Sequence, residues 1–167
     1  MSEREKPQRN LGYTMGYLST GTVEEFFRAR FGFAAADKLA CDTPGGQAHG
    51  HEKGTMIIDR PPPIWCLRLS APVHRPQAAA MELFETWTLH YLGVDGFDTI
   101  TYEPIGCILF TGKTHFFVRW VNRDKPGRLV QYNDMVRPCT VDVQGSWFDG
   151  LDNLISAMVV FYRFLEV

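Results

Sequence analysis

The sequence predicts an α+β fold made mainly of antiparallel β-sheet, with two helices. Apolar residues recur at helical spacing most clearly in two stretches, at about residues 22–32 and 76–92. The second half is instead dominated by short runs of β-branched and aromatic residues with turn residues between them. Because short turns join neighbouring strands in the antiparallel sense, these runs predict a mainly antiparallel sheet.

The first predicted helix begins with a capping box formed by Thr22 and Glu25. In such a box each side chain accepts a hydrogen bond from the backbone N–H of the other residue, so two unpaired donors are satisfied. The apolar side chains that follow at helical spacing are Val23, Phe26, Phe27 and Phe31.

The second predicted helix begins at Pro76, a residue type that suits the first turn, and Gly93 is placed to end it. Glu82 and Glu85 lie on its polar face. The opposite face is apolar and consists of Ala80, Leu83, Phe84, Trp87 and Tyr91.

Five runs are typical of β-strands, at 55–58, 64–69, 97–102, 105–110 and 115–121. The prolines between the first two runs cannot lie inside a central ladder, so a stiff connection joins these strands. The segment 147–165 fits both a helical stripe and a buried strand, and its periodicity alone does not decide between them.

Length, composition and charge limit what the chain can do. A chain of 167 residues predicts one domain, spanning 11–167 after a charged and disordered lead-in over 1–10. The net charge of -2 gives no positive field for nucleic acid, and no stretch approaches the ~20 apolar residues of a membrane span. We therefore expect an intracellular protein with reduced cysteines and neither a nucleic-acid nor a membrane partner.

The stretch 114–136 predicts a β-hairpin that could carry chemistry. Turn residues at 124–127 join two strand-like arms, and this midpoint places His115 opposite Asn133. An asparagine amide oxygen can accept a hydrogen bond from an imidazole N–H and orient the ring, as in a Cys-His-Asn arrangement. The alternative is that both residues belong to the solvated end of an ordinary hairpin.

Both arms resemble the histidine box of the ubiquitin-specific proteases, the ubiquitin carboxyl-terminal hydrolases of the papain-like cysteine peptidase clan. That box has the form G-H-Y-x-x-Y-x-R, then a variable turn, then W-x-x-F-[DN]-D-x-x-V. The similar stretches here are 114–119, which reads THFFVR, and 130–136, which reads VQYNDMV. Thr114 stands in place of the usual glycine, and Phe116 in place of the usual tyrosine.

Three further segments are similar to this family in the same order. Residues 57–69 resemble I-x-x-L-P-P-V-L-x-I-H-L-K-R, and residues 102–109 resemble Y-x-L-x-x-V-x-x-H-x-G. Residues 156–163 resemble A-Y-x-L-F-Y-R, which favours a strand over about 157–164. The resemblance implies the palm and finger half of a papain-like domain, without the lobe that carries the nucleophilic cysteine.

The resemblance also implies a site for thiol-dependent deubiquitination, an isopeptide hydrolysis, with ubiquitin or a ubiquitin-like protein as the partner. His115 would be the general base, Asn133 would orient its ring, and Asp134 would assist through hydrogen bonds. The loop before the histidine would flank the channel for the ubiquitin tail and bind substrate through Phe110, Thr111, Gly112, Lys113 and Thr114.

The family's cysteine box is not found in the sequence. Cys41 follows Lys38-Leu39-Ala40 and not the residues of that box. Cys107 lies in an apolar run and Cys139 follows the histidine box, so none of the three is a convincing nucleophile. We therefore expect the chain alone to be inactive. One alternative is a non-catalytic pseudo-protease that binds ubiquitin or another protein. Another is a structural remnant without a ligand, which self-associates through an exposed sheet edge.

We expect neither a cofactor nor a metal. A four-ligand zinc site could be assembled on paper from Cys41, His49, His51 and Cys66, but their spacing matches no usual Cys/His module. Pro44 stands where the family's finger knuckle has its second thiolate. These residues are therefore interpreted as part of a loop.

Overall fold

The computed structural model describes residues 13–18, 21–31, 61–93, 95–112 and 114–165. Some of the predicted features lie outside these ranges, namely the lead-in over 1–10, the strand over 55–58, Lys113, Cys41, His49 and His51.

Eight strands and two helices make up the described part of the chain. In chain order they are β1 (Tyr13–Leu18), α1 (Val23–Phe31), β2 (Ile64–His74), α2 (Arg75–Ala80), β3 (Trp87–Gly93), β4 (Gly96–Phe110), β5 (Phe116–Val121), β6 (Arg128–Tyr132), β7 (Thr140–Gln144) and β8 (Ser156–Phe164).

All eight strands belong to one sheet. Its order is β1-β2-β8-β4-β5-β6-β7, and β3 pairs with β4 outside this path. The pairing of β1 with β2 is parallel, and the other pairings within the described ranges are antiparallel. The predicted α+β fold with a mainly antiparallel sheet is therefore confirmed.

The capping box predicted for the first helix is formed. The Thr22 N–H donates to Glu25 Oε2 at 3.0 Å, and the Glu25 N–H donates to Thr22 Oγ1 at 3.1 Å. Helix α1 begins at Val23, directly after Thr22, and ends at Phe31, as the spacing of its apolar residues predicted. No helix in the described ranges is long and apolar enough to cross a bilayer.

The second predicted helix, over 76–92, is wrong from residue 81 onward. Helix α2 ends at Ala80, a turn follows in which Glu82 has a φ of 51°, and β3 then begins at Trp87. From Trp87 to Tyr91 every second side chain is buried, which is the strand period and not the helical one. Pairing with β4 along the whole of β3 satisfies its backbone groups and outweighs the local helical pattern.

The hydrophobic core lies between one face of the sheet and the elements that cover it. Trp87 lies at its centre and stacks on Phe27 of α1, with 4.2 Å between ring centroids, and on Tyr102 of β4 at 4.7 Å. The hydroxyl of Tyr162 in β8 donates to the carbonyl oxygen of Leu83 at 2.6 Å. This contact fastens the turn after α2 to the centre of the sheet.

The segment 147–165, which fitted either a helix or a strand by its sequence, contains strand β8. It lies between β2 and β4, where both of its edges are paired. Ala157, Val160 and Tyr162 are fully buried in it. The strand expected over about 157–164 is confirmed. A central strand with these β-branched and aromatic residues buries more apolar surface than an exposed helix would.

Candidate functional site

His115 and Asn133 lie at the open end of the hairpin formed by β5 and β6. The register of this hairpin pairs Val118 with Tyr132, which extends to place Phe117 opposite Asn133. This register differs by two residues from the predicted one, in which His115 faced Asn133 directly. The two side chains nevertheless meet, because they lie on the same face of the sheet and approach along the diagonal.

The bond between them joins His115 Nε2 to Asn133 Oδ1 at 2.8 Å, as the hairpin prediction required. The same Oδ1 accepts a hydrogen bond from the backbone N–H of Met135 at 3.0 Å. Because a backbone N–H can only donate, the amide atom at this point is the oxygen, and His115 Nε2 must be the donor. In the neutral ring the proton is therefore on Nε2, and Nδ1 is the proton acceptor.

Asn133 itself is held by the backbone around it. Its N–H donates to the carbonyl oxygen of Cys139 at 2.8 Å, and its own carbonyl oxygen accepts from the N–H of Val136 at 3.4 Å. Together with the side-chain bond to Met135, these contacts form a turn that leaves the amide little freedom. The acceptor for the imidazole is thus positioned before any ligand binds.

Asp134 lies close to the same ring but does not bond to it. Its Oδ1 is 3.7 Å from His115 Nε2, which is longer than a hydrogen bond, and the Asp134 side chain is 64% exposed against 23% for His115. In this geometry the carboxylate acts on the imidazole through its charge, when the ring is protonated, and water weakens that effect.

The loop before His115 is short and held at both ends. The Thr111 N–H donates to the carbonyl oxygen of His115 at 3.0 Å. Gly112 has a φ of +81°, a left-handed conformation that glycine adopts without strain, and a Cβ there would lie 3.5 Å from the carbonyl oxygen of Leu154. The loop therefore runs beside the segment that precedes β8.

Large apolar side chains are exposed around the His115 end of the hairpin. Phe116 is 49% exposed and lies against Phe110 of β4, with 4.8 Å between ring centroids. Met135 and Leu154 are more exposed still, and Thr114 is also exposed. Met135 was not among the residues predicted from the sequence, although an asparagine that begins a turn commonly accepts the N–H two residues later.

The described thiols are not placed to act with His115. Cys66 and Cys107 are buried in β2 and β4, and burial raises the pKa of both thiols, that of Cys107 to about 12. Cys139 lies across from Asn133 on the β7 side, and its sulfur contacts the guanidinium of Arg137. Within the described ranges no thiol hydrogen-bonds to the imidazole, so the Nδ1 position has no nucleophile beside it.

A metal centre is not evident either in the part of the chain that the structure describes. No three of its His, Cys, Asp and Glu side chains are grouped so that they could hold a metal ion.

The tautomer of His115 can be checked directly. We expect ¹⁵N NMR of the neutral ring to show a protonated Nε2 and an unprotonated Nδ1, because the Asn133 atom that faces Nε2 is the amide oxygen, which can only accept. In Asn133→Leu the two tautomers should both be populated, whereas His90→Ala, which removes an exposed histidine of β3, should leave the His115 signals unchanged. A protonated Nδ1 in the unaltered protein would contradict this assignment.

No family model and no curated protein matches the sequence. Among solved structures, the fold is similar to the pseudoubiquitin hydrolase-RNA exonuclease module of Saccharomyces cerevisiae Pan2, with a TM-score of 0.43, 10% identity, and coverage of 64% of this chain and 21% of that one. For a structure of the PAN2 pseudoubiquitin-hydrolase alone, the TM-score is 0.39 and the identity 11%. That match covers 64% of this chain and 36% of the other.

The fold is also similar to the SAGA DUB module of Ubp8, Sgf11, Sus1 and Sgf73 bound to ubiquitin aldehyde. The TM-score is 0.46 and the identity 14%, and the match covers 92% of this chain and 36% of that one. This chain thus spans between about a fifth and about a third of the solved chains to which it is similar. Similarity at this distance does not indicate an activity, which has to be inferred from the site.

Proposed function

We propose that this chain supplies the histidine and asparagine half of a cysteine-peptidase site of the ubiquitin-specific-protease type. The observation that supports this most is the His115 Nε2 to Asn133 Oδ1 bond of 2.8 Å, with the amide oxygen fixed by the Met135 N–H. An ordinary hairpin end needs no such arrangement. Here the ring is held in one tautomer with its basic nitrogen directed away from the hairpin partner.

In the proposed reaction the partner is ubiquitin or a ubiquitin-like protein joined through its C-terminal carbonyl to an amine. Nδ1 of His115 takes the proton of a thiol, and the thiolate attacks the carbonyl carbon. A carbon–sulfur bond then replaces the carbon–nitrogen bond, and the imidazolium returns its proton to the leaving amine. Water hydrolyses the thioester, with its proton passing through Nδ1, and the thiol is regenerated.

Asn133 keeps its bond to Nε2–H through both steps. The amide holds the ring in place without adding a charge, and Oδ1 of Asp134 lies 3.7 Å from the same nitrogen. The loop formed by Phe110, Thr111, Gly112, Lys113 and Thr114 would flank the channel for the tail of the substrate. Gly112 suits this place, since a glycine lets another backbone approach closely.

The thiol has to come from outside the described residues. It lies either in a part of this chain that the structure does not describe, in a longer form of the protein, or in a second chain. The buried positions of Cys66 and Cys107 favour a second candidate function, in which the domain is a pseudo-protease that binds ubiquitin or another protein without cleaving it.

A ubiquitin probe with a thiol-reactive group at its C-terminus tests the proposal. We expect the chain alone to show no labelling above background, because no described thiol lies beside His115. Co-expression with a segment that encodes the family's cysteine box should give labelling of that cysteine. His115→Ala and Asn133→Ala should reduce its rate by about 10²-fold or more, while the matched control His90→Ala should not.

The other outcomes are equally informative. If the chain alone were labelled, and the labelling were lost in His115→Ala, then the chain would contain its own nucleophile, and Cys41 would be the first residue to replace. If the completed protein bound the probe without reacting, the pseudo-protease function would be preferred. Loss of both binding and reaction would contradict a ubiquitin-directed function altogether.

A further inference from the structure

Two side-chain bridges cross the same pair of strands on the same face of the sheet. One is the diagonal bond from His115 to Asn133. The other joins Arg119 of β5 to Gln131 of β6, with Arg119 Nε donating to Gln131 Oε1 at 2.9 Å. Arg119 and Gln131 are direct partners in the register of the hairpin, four and two residues from the site.

Arg119 is held from a second direction. Its Nη1 donates to the carbonyl oxygens of Trp147 and Asp149, each at 2.9 Å, and lies 3.5 Å from that of Ser146. Although charged, the side chain is only 2% exposed, so these contacts replace its hydration. The loop between β7 and β8 therefore fixes the guanidinium of Arg119. The Nε–H of Arg119 is then a buried donor that faces β6.

That donor restricts how β6 can lie against β5. In the register that the sequence predicted, two residues away, Arg119 would face Leu129, and Gln131 would be its diagonal neighbour at the longer Cβ separation of about 7 Å. A shift of one residue would instead turn the acceptor to the other face of the sheet. Gln131 thus faces Arg119 directly in the observed register and in neither of these alternatives.

The register in turn selects which ring nitrogen meets Asn133. Directly opposite residues have Cβ atoms about 5 Å apart, which suits the near nitrogen, Nδ1, whereas diagonal neighbours are about 7 Å apart. The longer separation suits the far nitrogen, Nε2, which is the one that bonds to Asn133. Because Nε2 is used, Nδ1 is left for the thiol.

We propose that Arg119 and Gln131 are positioning residues, which fix the register of β5 and β6 and thereby direct Nε2 of His115 to Asn133. They contact neither the substrate nor the reacting atoms. The consequence for catalysis rests on the proposed function, but the register and the tautomer do not.

The test combines ¹⁵N NMR of the His115 ring with cross-strand NOEs of the hairpin. Gln131→Asn shortens the acceptor by one methylene, Gln131→Leu removes it, and Gln131→Glu retains it. The matched control is Arg163→Leu, which breaks another bond between an arginine and its direct partner across two strands, that of Arg163 with Glu103.

We expect Gln131→Leu and Gln131→Asn to lose the single Nε2–H tautomer and the Val118 to Tyr132 NOEs of the observed register. Gln131→Glu and the control should keep both. In the completed protein, Gln131→Asn should also lower the labelling rate about tenfold or more, with binding of the probe unchanged. If both Gln131→Asn and Gln131→Leu kept the wild-type tautomer and NOEs, the positioning role would be wrong.

The two proposals can fail separately. If the substitutions change the tautomer but the completed wild-type protein never reacts with the probe, the positioning of the ring stands and the peptidase function falls. If the wild-type protein reacts and Gln131→Asn reacts equally fast with an unchanged tautomer, the function stands and the positioning role falls.

Discussion

Arg119→Met is expected to lower the free energy of unfolding by about 3 to 5 kcal/mol. The substitution keeps an apolar stem of similar length but removes every donor of the guanidinium. The carbonyl oxygens of Trp147 and Asp149 and the amide oxygen of Gln131 then lose their partner inside the fold. These acceptors are partly buried, and each one left without a partner costs about 1 to 3 kcal/mol to the extent that water cannot reach it. Urea denaturation monitored by tryptophan fluorescence measures the change.

Two matched substitutions show whether the loss of stability in Arg119→Met comes from the acceptors that lose their partner. Arg163→Met removes an arginine that is only partly buried and pairs with Glu103, and it should cost less than about 1 kcal/mol. Tyr162→Phe removes one buried hydrogen bond, to the carbonyl oxygen of Leu83, and should cost about 1 to 2 kcal/mol. An Arg119→Met protein no less stable than Arg163→Met would show that water satisfies the loop carbonyls.

The features predicted correctly from the sequence are those with local signals. Thr22 and Glu25 form their capping box within one turn of chain, and α1 follows from it. The turn residues at 124–127 lie between β5 and β6, so the existence of the hairpin could be inferred without knowledge of any distant contact.

The segment 81–92 shows why local signals are insufficient elsewhere. Trp87 and Tyr91 are four residues apart, which fits one face of a helix, but with Leu89 they also fit one face of a strand. What decides between the two is the partner strand β4 and the stacking of Trp87 between Phe27 and Tyr102. These partners come from distant parts of the chain, and periodicity carries no information about them.

The contact between His115 and Asn133 was predictable from the sequence, but its geometry was not. The hairpin alone brings His115 close to Asn133. Their diagonal approach depends on the observed register, which differs by two residues from the predicted one. The register depends on Arg119, whose contacts with the loop between β7 and β8 are made across 27 to 30 residues of chain. The available signal in the sequence was an arginine within the otherwise apolar run 116–121, because the many donors of such a residue require acceptors nearby.

Alkylation should distinguish the thiols of the folded protein by several orders of magnitude. Burial raises the pKa of Cys107 to about 12, so at pH 8 only about one molecule in 10⁴ carries the reactive thiolate. Burial also raises the pKa of Cys66. Cys139 is only half-buried, and the guanidinium of Arg137 lies against its sulfur. Among the three thiols that the structure describes, iodoacetamide should therefore modify Cys139 first, as peptide-resolved mass spectrometry would show.

Unfolding provides the control for this comparison. In urea, Cys66, Cys107 and Cys139 should react at similar rates, because all three are then exposed and the thiols of Cys66 and Cys107 regain pKa values near 8.5. Below pH 8 the folded protein should lose what little Cys107 reactivity it has, since the thiolate fraction falls tenfold per pH unit. Rapid modification of Cys107 without urea would mean that β4 opens readily next to the strand that carries Arg119, and the rigid support inferred for His115 and Asn133 would then be wrong.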